Sequence, residues 1–177
     1  MSAFVKSEWA TILSNQDFIC ISTCSGYRGG QRDPKGVQHI IDPKSADDDV
    51  GLLILDALSH SRLVLPRFRQ DVVIHPDTVF EPEFYDNKLM EERYDAWVEY
   101  IMKRFSYKNE NQMYKQLKNC SLTRTNGQII FTPWHHKKLA NWDGDGLTDA
   151  DKVIIPASSV PTEIGAGLRL ALSRCTG

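Results

Sequence analysis

No stretch of the 177-residue sequence stays apolar for the ~20 residues that a bilayer-spanning helix needs. The opening segment "MSAFVKSEWATIL" also lacks the basic start, long apolar run and small-residue cleavage site of a secretion signal. A cytoplasmic protein with no membrane partner is therefore expected. Charge of one sign is equally scarce: 21 basic against 23 acidic side chains leave a formal net charge of -2. That balance provides no basic face for phosphates, so no nucleic-acid partner is expected. There are only four cysteines, Cys20, Cys24, Cys120 and Cys175. Cys20 and Cys24 lie four apart, but no second pair stands at zinc-ligand spacing, which favours buried, reduced thiols over a metal cage or a disulfide framework.

Catalytic signatures are missing as well. The segment "GYRGG" has the glycines of a phosphate-binding turn without the Lys-Ser/Thr of a P-loop or a GxGxxG spacing, and reads as a mobile surface loop presenting Arg28 and Arg32, able to touch a partner. His135 and His136 are adjacent, so on a strand they face opposite ways and do not easily share one metal. With Asp143 and Asp145 nearby, a metal-dependent hydrolase is the least supported alternative, since no nucleophile with a matched base and no histidine pair at helical spacing accompanies them. No catalytic residue, metal ligand or cofactor is assigned.

What the chain does contain is length for one domain, residues 1–177, and an ordinary globular balance of apolar and charged side chains. It also contains an internal repeat. "IIDPKSADDDVGLLILDALSHS" from Ile40 aligns without a gap on "IIPASSVPTEIGAGLRLALSRC" from Ile154, with Gly51 on Gly165 and Ala57-Leu58-Ser59 on Ala171-Leu172-Ser173. Each copy predicts a short strand, a proline-bearing turn, a serine cap and an apolar helix, with Ser45 and Asp48 at capping-box spacing in the first copy. Asp47, Asp48 and Asp49 then suit a helix N-terminus, where the helix dipole favours negative charge.

Between the copies, strands are expected at Leu63–Leu65 and Val72–Ile74, and "HPDTVFEPEFYDN" as a surface excursion. Phe18–Ser22 is another buried strand. Met90, Tyr94, Trp97, Ile101 and Phe105 recur at steps of three and four, predicting a helix over residues 87–105 with a wide aromatic core face. Asn126-Gly127 between β-forming runs predicts a hairpin, because both residues accept the positive φ of a type I′ turn. The fold class is α/β (α+β): a mixed sheet flanked by helices, two similar strand-turn-helix units and a β-hairpin.

"NWDGDGLTDADK", Asn141 to Lys152, is written almost as a calcium loop. Asn141, Asp143, Asp145, Gly146 and Asp149 fill positions 1, 3, 5, 6 and 9. Position 12, where a bidentate glutamate normally closes the shell, is Lys152, and a cation there repels the metal. Asp151 stands one residue early. A solvated acidic turn entering a strand is the simpler reading, with a calcium-binding module over Asn141–Asp151 as the alternative.

The segments "DDDVGLLILDALSHSR" and "IIPASSVPTEIGAGLRLALSRC", with the preceding Trp142-x-Gly144, resemble the immunity proteins of bacterial contact-dependent growth inhibition systems, the CdiI-type family. The resemblance covers about a third of the chain, and its motifs are helix-packing residues. It implies a non-enzymatic protein that binds and neutralises a cognate toxin domain, with nucleases among the toxins. It also implies, for at least one subgroup, a toxin hairpin entering a pocket beside the sheet. A monomer in a one-to-one complex is expected. Independently of those motifs, the candidate contact residues are Asp143, Asp145, Asp149 and Asp151, as an acidic face for a basic toxin, with Trp134, His135 and Tyr85 as loop anchors.

Overall fold

A computed structural model describes residues 4–177; residues 1–3, which open the segment examined for a secretion signal, lie outside the described residues. β1 (Glu8–Ser14) and β2 (Ile19–Gly26) pair antiparallel at the heart of the main sheet. β2 is buried along its whole length, which is why ICISTCSG carries small or apolar side chains throughout instead of alternating. It outruns the expected Phe18–Ser22 and turns tightly into β3 (Gly30–Arg32), which returns beside it. The glycine-rich segment thus closes a hairpin, with Arg28 in its turn and Arg32 at the end of β3. Gly30 is required there because a Cβ would press into the Trp9 side chain at 2.7 Å.

β4 (Gln38–Ile41) pairs with the first half of β2, and α1 (Asp47–Ser59) follows. β5 (Val64–Leu65) and β6 (Val79–Phe80) form a small parallel pair. The expected strand at Val72–Ile74 does not form, since the N–H groups of Val79 and Glu81, each at 2.9 Å from the Leu63 and Leu65 carbonyls, take the place beside β5. After a 3-10 turn at Pro82–Tyr85, α2 (Asn87–Arg104) is capped by Asp86, whose side chain accepts from the Leu89 N–H, and α3 (Glu110–Tyr114) follows. β7 (Lys118–Thr125) and β8 (Gln128–Pro133) are the expected hairpin, turning through Asn126 at φ 48° and Gly127 at φ 71°. β9 (His135–Lys138), β10 (Asn141–Asp143), a 3-10 turn at Asp149–Asp151, β11 (Val153–Pro156) and α4 (Pro161–Arg174) complete the chain.

The main sheet runs β11-β8-β7-β1-β2, with β3 and β4 sharing the outer edge of β2; these pairings are antiparallel, and the parallel pairing lies in β5–β6. The two repeat units therefore occupy opposite edges of one sheet, and their helices cross to the same face and meet. Their buried positions superimpose on the repeat: Val50, Gly51, Ile54, Ala57 and Leu58 in α1 against Ile164, Gly165, Leu168, Ala171 and Leu172 in α4. Contacts at the crossing are reciprocal. Gly51 lies against the backbone of Pro161, and Gly165 against the backbone of Asp47, which is the Pro161 equivalent in the first unit. Both glycines are needed because a Cβ at either would overlap backbone atoms of the other helix. Such i-to-j and j-to-i contact is what a two-fold arrangement of two like units produces.

The expected serine caps fail in both units, α4 beginning with Val160 at its N-cap and no side-chain cap. α1 begins with Ala46 at its N-cap and no side-chain cap, so Ser45 and Asp48 form no capping box. Arg169 of α4 holds the entry instead, donating to the Pro43 carbonyl at 2.8 Å, the Asp47 carboxylate at 2.6 Å and the Ser45 carbonyl. Acidic residues still fill the first turn of α1.

The α1–α4 pair and one sheet face enclose the main core, around Ile12, Ile21, Leu122, Phe131, Ile54 and Leu168. The opposite sheet face is covered in part. There Leu13, Phe18 and Cys20 pack under Trp97, Ile101 and Leu117 of α2 and the segment after α3, with Tyr94, Phe105 and Trp142 at the margin. The expected aromatic stripe thus lies against the core, except Met90, which lines a cavity. All four cysteines are free, and burial pushes their thiols up, Cys24 to about 12. Among the described residues no helix is long and apolar enough to cross a membrane.

Candidate functional site

Alternation along β1 and β7 decides what the partly covered face presents. Ala10, Ile12, Cys120 and Leu122 point into the main core, so Thr11, Asn119, Ser121 and Thr123 point the other way. They floor an open cleft of about 690 Å³. One wall is the β2–β3 turn with Arg28 and Arg32, and the other is the β9–β10 hairpin with Ala140 and Trp142; Tyr94 of α2 closes the end. A second cavity of about 560 Å³ adjoins it between α2 and the β3–β4 connection, lined by Pro34, Val37, Met90, Tyr94 and Trp97. Arg32 borders both. A hydrogen-bonding floor between apolar and cationic walls suits an inserted segment of polypeptide.

The wall carrying Arg32 is tied down by charge. Asp33, whose side chain is 0% exposed, accepts from Ser25 at 2.6 Å and from Arg62 Nε at 2.7 Å and Nη2 at 2.9 Å. Burial pushes the Asp33 carboxyl up, but hydrogen bonds from Arg62, Ser25 and the Lys35 N–H outweigh it and hold the carboxyl below its ordinary value. Arg62 also donates to Glu81 at 2.8 Å, and with Lys35 brings that carboxyl down to about 2. The network joins β2, the β3–β4 connection, the segment after α1 and the end of β6.

The acidic segment forms the outer side of the other wall. Lys137 pairs with Asp143 at 2.8 Å, and its ammonium holds the Asp143 carboxyl low. Lys152, at the position a calcium loop gives to glutamate, pairs with Asp149 at 2.8 Å. Asp151 caps its own 3-10 turn, accepting from the Thr148 N–H at 2.7 Å in a capping box. Gly146 takes the positive φ of 72° that a sharp turn needs. The loop therefore turns as a calcium loop would, but three of its carboxylates have protein donors, and among the described residues no three acidic, histidine or cysteine side chains converge as a metal cage. Asp145 keeps its carboxylate exposed, while its N–H donates to Asp143 at 3.0 Å.

The expected anchors separate. Trp134 donates from Nε1 to Ser121 Oγ at 2.8 Å and its ring lies against Gly144, while His135 Nδ1 lies 2.9 Å from Thr176 Oγ1 and the residue pairs with Asp143, so both stand beside the acidic loop. His136 points elsewhere, stacked on Trp142 at 4.9 Å, as adjacent strand residues must. Tyr85 belongs to a different region: its hydroxyl donates to the Val64 carbonyl at 2.6 Å and seats the 3-10 turn on β5. Sequence reading missed Thr11, Asn119, Ser121 and Thr123, although their period of two beside apolar partners was a legible sign of a polar sheet face. Trp97 was placed in the core and Arg32 on a surface loop; nothing local in sequence brings them together.

Comparison with known proteins agrees from end to end. The family model described as CDI immunity protein matches residues 8–175. Immunity protein CdiI-YPIII of Yersinia pseudotuberculosis serotype O:3 (strain YPIII) is 49% identical over 177 residues, 100% of both chains. A chain of the CdiA-CT/CdiI toxin and immunity complex from Yersinia pseudotuberculosis superposes with a TM-score of 0.93 at 48% identity, covering 98% of this chain and 100% of that one. A Neisseria meningitidis protein of unknown function superposes with a TM-score of 0.81 at 31% identity over 99% of each chain. The match takes in both repeat units and every strand that floors the cleft, and the chain belongs to the CDI immunity protein family.

Proposed function

We propose that this protein binds and neutralises the cognate C-terminal toxin domain of a contact-dependent growth inhibition system. It acts as a single domain, one copy per toxin, in the cytoplasm and without catalysing a reaction. The observation that carries this reading is the end-to-end likeness to a chain solved within a toxin and immunity complex. The cleft gives that likeness a physical use: its floor of hydroxyl and amide groups meets main-chain groups of an inserted toxin segment, and its walls select side chains. The acidic segment, with Trp134 and His135 beside it, forms an adjoining contact face, and Asp145 presents the negative charge that Asp143 and Asp149 largely spend on lysines. A basic, nucleic-acid-cleaving toxin fits that face. Tyr85 is left out of it by position.

Calorimetric titration with the toxin domain encoded beside this protein tests the reading. One-to-one binding, together with rescue of growth in cells expressing the toxin, is the expected result. A toxin domain that neither binds nor is neutralised would overturn it.

A further inference from the structure

Among the described residues, Arg32 has no counter-ion. Its guanidinium lies 4.5 Å from the centre of the Trp97 ring and 5.9 Å from that of Tyr94. Its Nη1 is buried and makes no hydrogen bond among the described residues. The carboxylates within reach are otherwise placed. Asp33 is spent on Arg62 and Ser25, and Glu91 and Asp95, on the exposed side of α2, form no ion pair with Arg32. The thiols of Cys20 and Cys24 are kept neutral by burial and supply no negative charge. Trp97 Nε1, also unpartnered, lies beside the Cys20 thiol and is not part of the site.

A desolvated, unpaired charge is costly in the free protein and is relieved by an anion brought to it. The setting selects the anion. The Arg32 guanidinium offers a planar fork that matches a carboxylate with two parallel hydrogen bonds. Met90, Val37, Pro34 and the two aromatic rings line the adjacent cavity and suit the apolar stem of such a side chain. The neighbouring cleft has the hydrogen-bonding floor for the peptide that carries it.

We propose that Arg32, stacked on Trp97 at the junction of the two cavities, is the anchor for an aspartate or glutamate side chain of the bound toxin domain. This rests on the toxin-binding function proposed above. The site makes Arg32 a specificity determinant: a toxin with a neutral or basic residue at that point leaves the half-buried guanidinium unpaired.

The test is calorimetry and thermal melting of Arg32→Met, which keeps the stem and removes the charge. Toxin affinity should fall by at least about 30-fold, as when one member of a buried charge pair is deleted. The melting temperature of the free protein should change little, because no ion pair or hydrogen bond is lost and the methionine stem keeps the packing on Trp97 while only the cation–π contact goes. Each acidic residue of the toxin domain is then neutralised in turn against both proteins, and the effect of one of them should vanish in the Arg32→Met background. Wild-type binding with Arg32→Met unaffected, a loss of affinity matched by a loss of stability, or no coupled toxin carboxylate would each overturn the inference alone. A wild-type protein that does not bind the toxin domain would overturn the function and this inference with it.

Discussion

Replacing Gly51 by alanine should destabilise the protein even though it improves a helix. In an open helix interior the change would contribute about 1 kcal/mol of propensity. Here the new methyl overlaps the carbonyl oxygen, carbonyl carbon and Cα of Pro161, which are backbone atoms and cannot rotate away. The two helices must move apart, and overpacking of this kind costs about 1–3 kcal/mol, toward the upper figure when backbone has to shift. The net expectation is a loss of about 2 kcal/mol, or about 4–8 °C in melting temperature for a chain of this size. Gly165, pressed on Asp47 in the mirrored contact, should give a matching loss within about 0.5 kcal/mol. The double variant should lose clearly less than the sum, since helix separation that admits one methyl opens the other contact too. Urea unfolding followed by circular dichroism measures all three, with Gly29→Ala, which meets nothing within 4 Å, as the neutral control. Stabilisation of either single variant by the propensity term, or strict additivity of the pair, would refute the reciprocal packing.

Acid unfolding should report the Arg62 network. Between about 4.5 and about 2 the unfolded chain carries a proton on Glu81 that the folded chain does not, so this contribution is complete above the ordinary carboxylate value and is lost as pH falls through about 2. Arg62→Met should make the decline of stability across that window shallower, and parallel curves for the two proteins would show the network carries no linkage. Millimolar calcium should leave the melting temperature where it is, since Lys152 occupies the closing ligand position and its carboxylate neighbour; a rise reversed by chelator would return the loop to metal binding. Asp145→Asn should slow toxin association at low salt more than Asp143→Asn or Asp149→Asn, whose carboxylates already face lysines, and equal effects in stopped-flow measurements would argue against the acidic face.

The parts of the fold that were legible in sequence are those fixed by local chemistry. Asn126-Gly127 dictated its turn, the aromatic stripe dictated α2, and the two like segments became the α1–α4 pair. Failures fall where a distant residue decides. The entry to α1 is held by Arg169, 124 residues on from Ser45, and not by a serine cap. Val72–Ile74 did not form a strand because β6 had the better reach to β5. β3, only Gly-Gln-Arg, carries no apolar pattern at all and exists because Gly30 fits against Trp9. The cleft was illegible for the same reason, with its floor and walls drawn from β1, the β2–β3 turn, α2, β7 and the β9–β10 hairpin.

This division has a functional logic. On one face of the sheet the residues at the helix crossing are held from two sides: Gly51 cannot grow without displacing Pro161, and Arg169 cannot change without freeing the entry to α1. That face is where the family resemblance was legible. On the other face, Thr11, Ser121 and Thr123 line the open cleft half-buried, and among the described residues the Arg32 Nη1 rests over two rings without a hydrogen-bond partner. On the proposed reading, what enters the cleft constrains their identities more than the core beneath does. If the cleft is the toxin site as proposed, a sheet with a locked helix pair behind it and a polar floor in front separates the demands of folding from those of recognition. The scaffold side is therefore readable from one sequence, whereas the recognition side becomes readable only when the chain is folded and its unpaired groups are found.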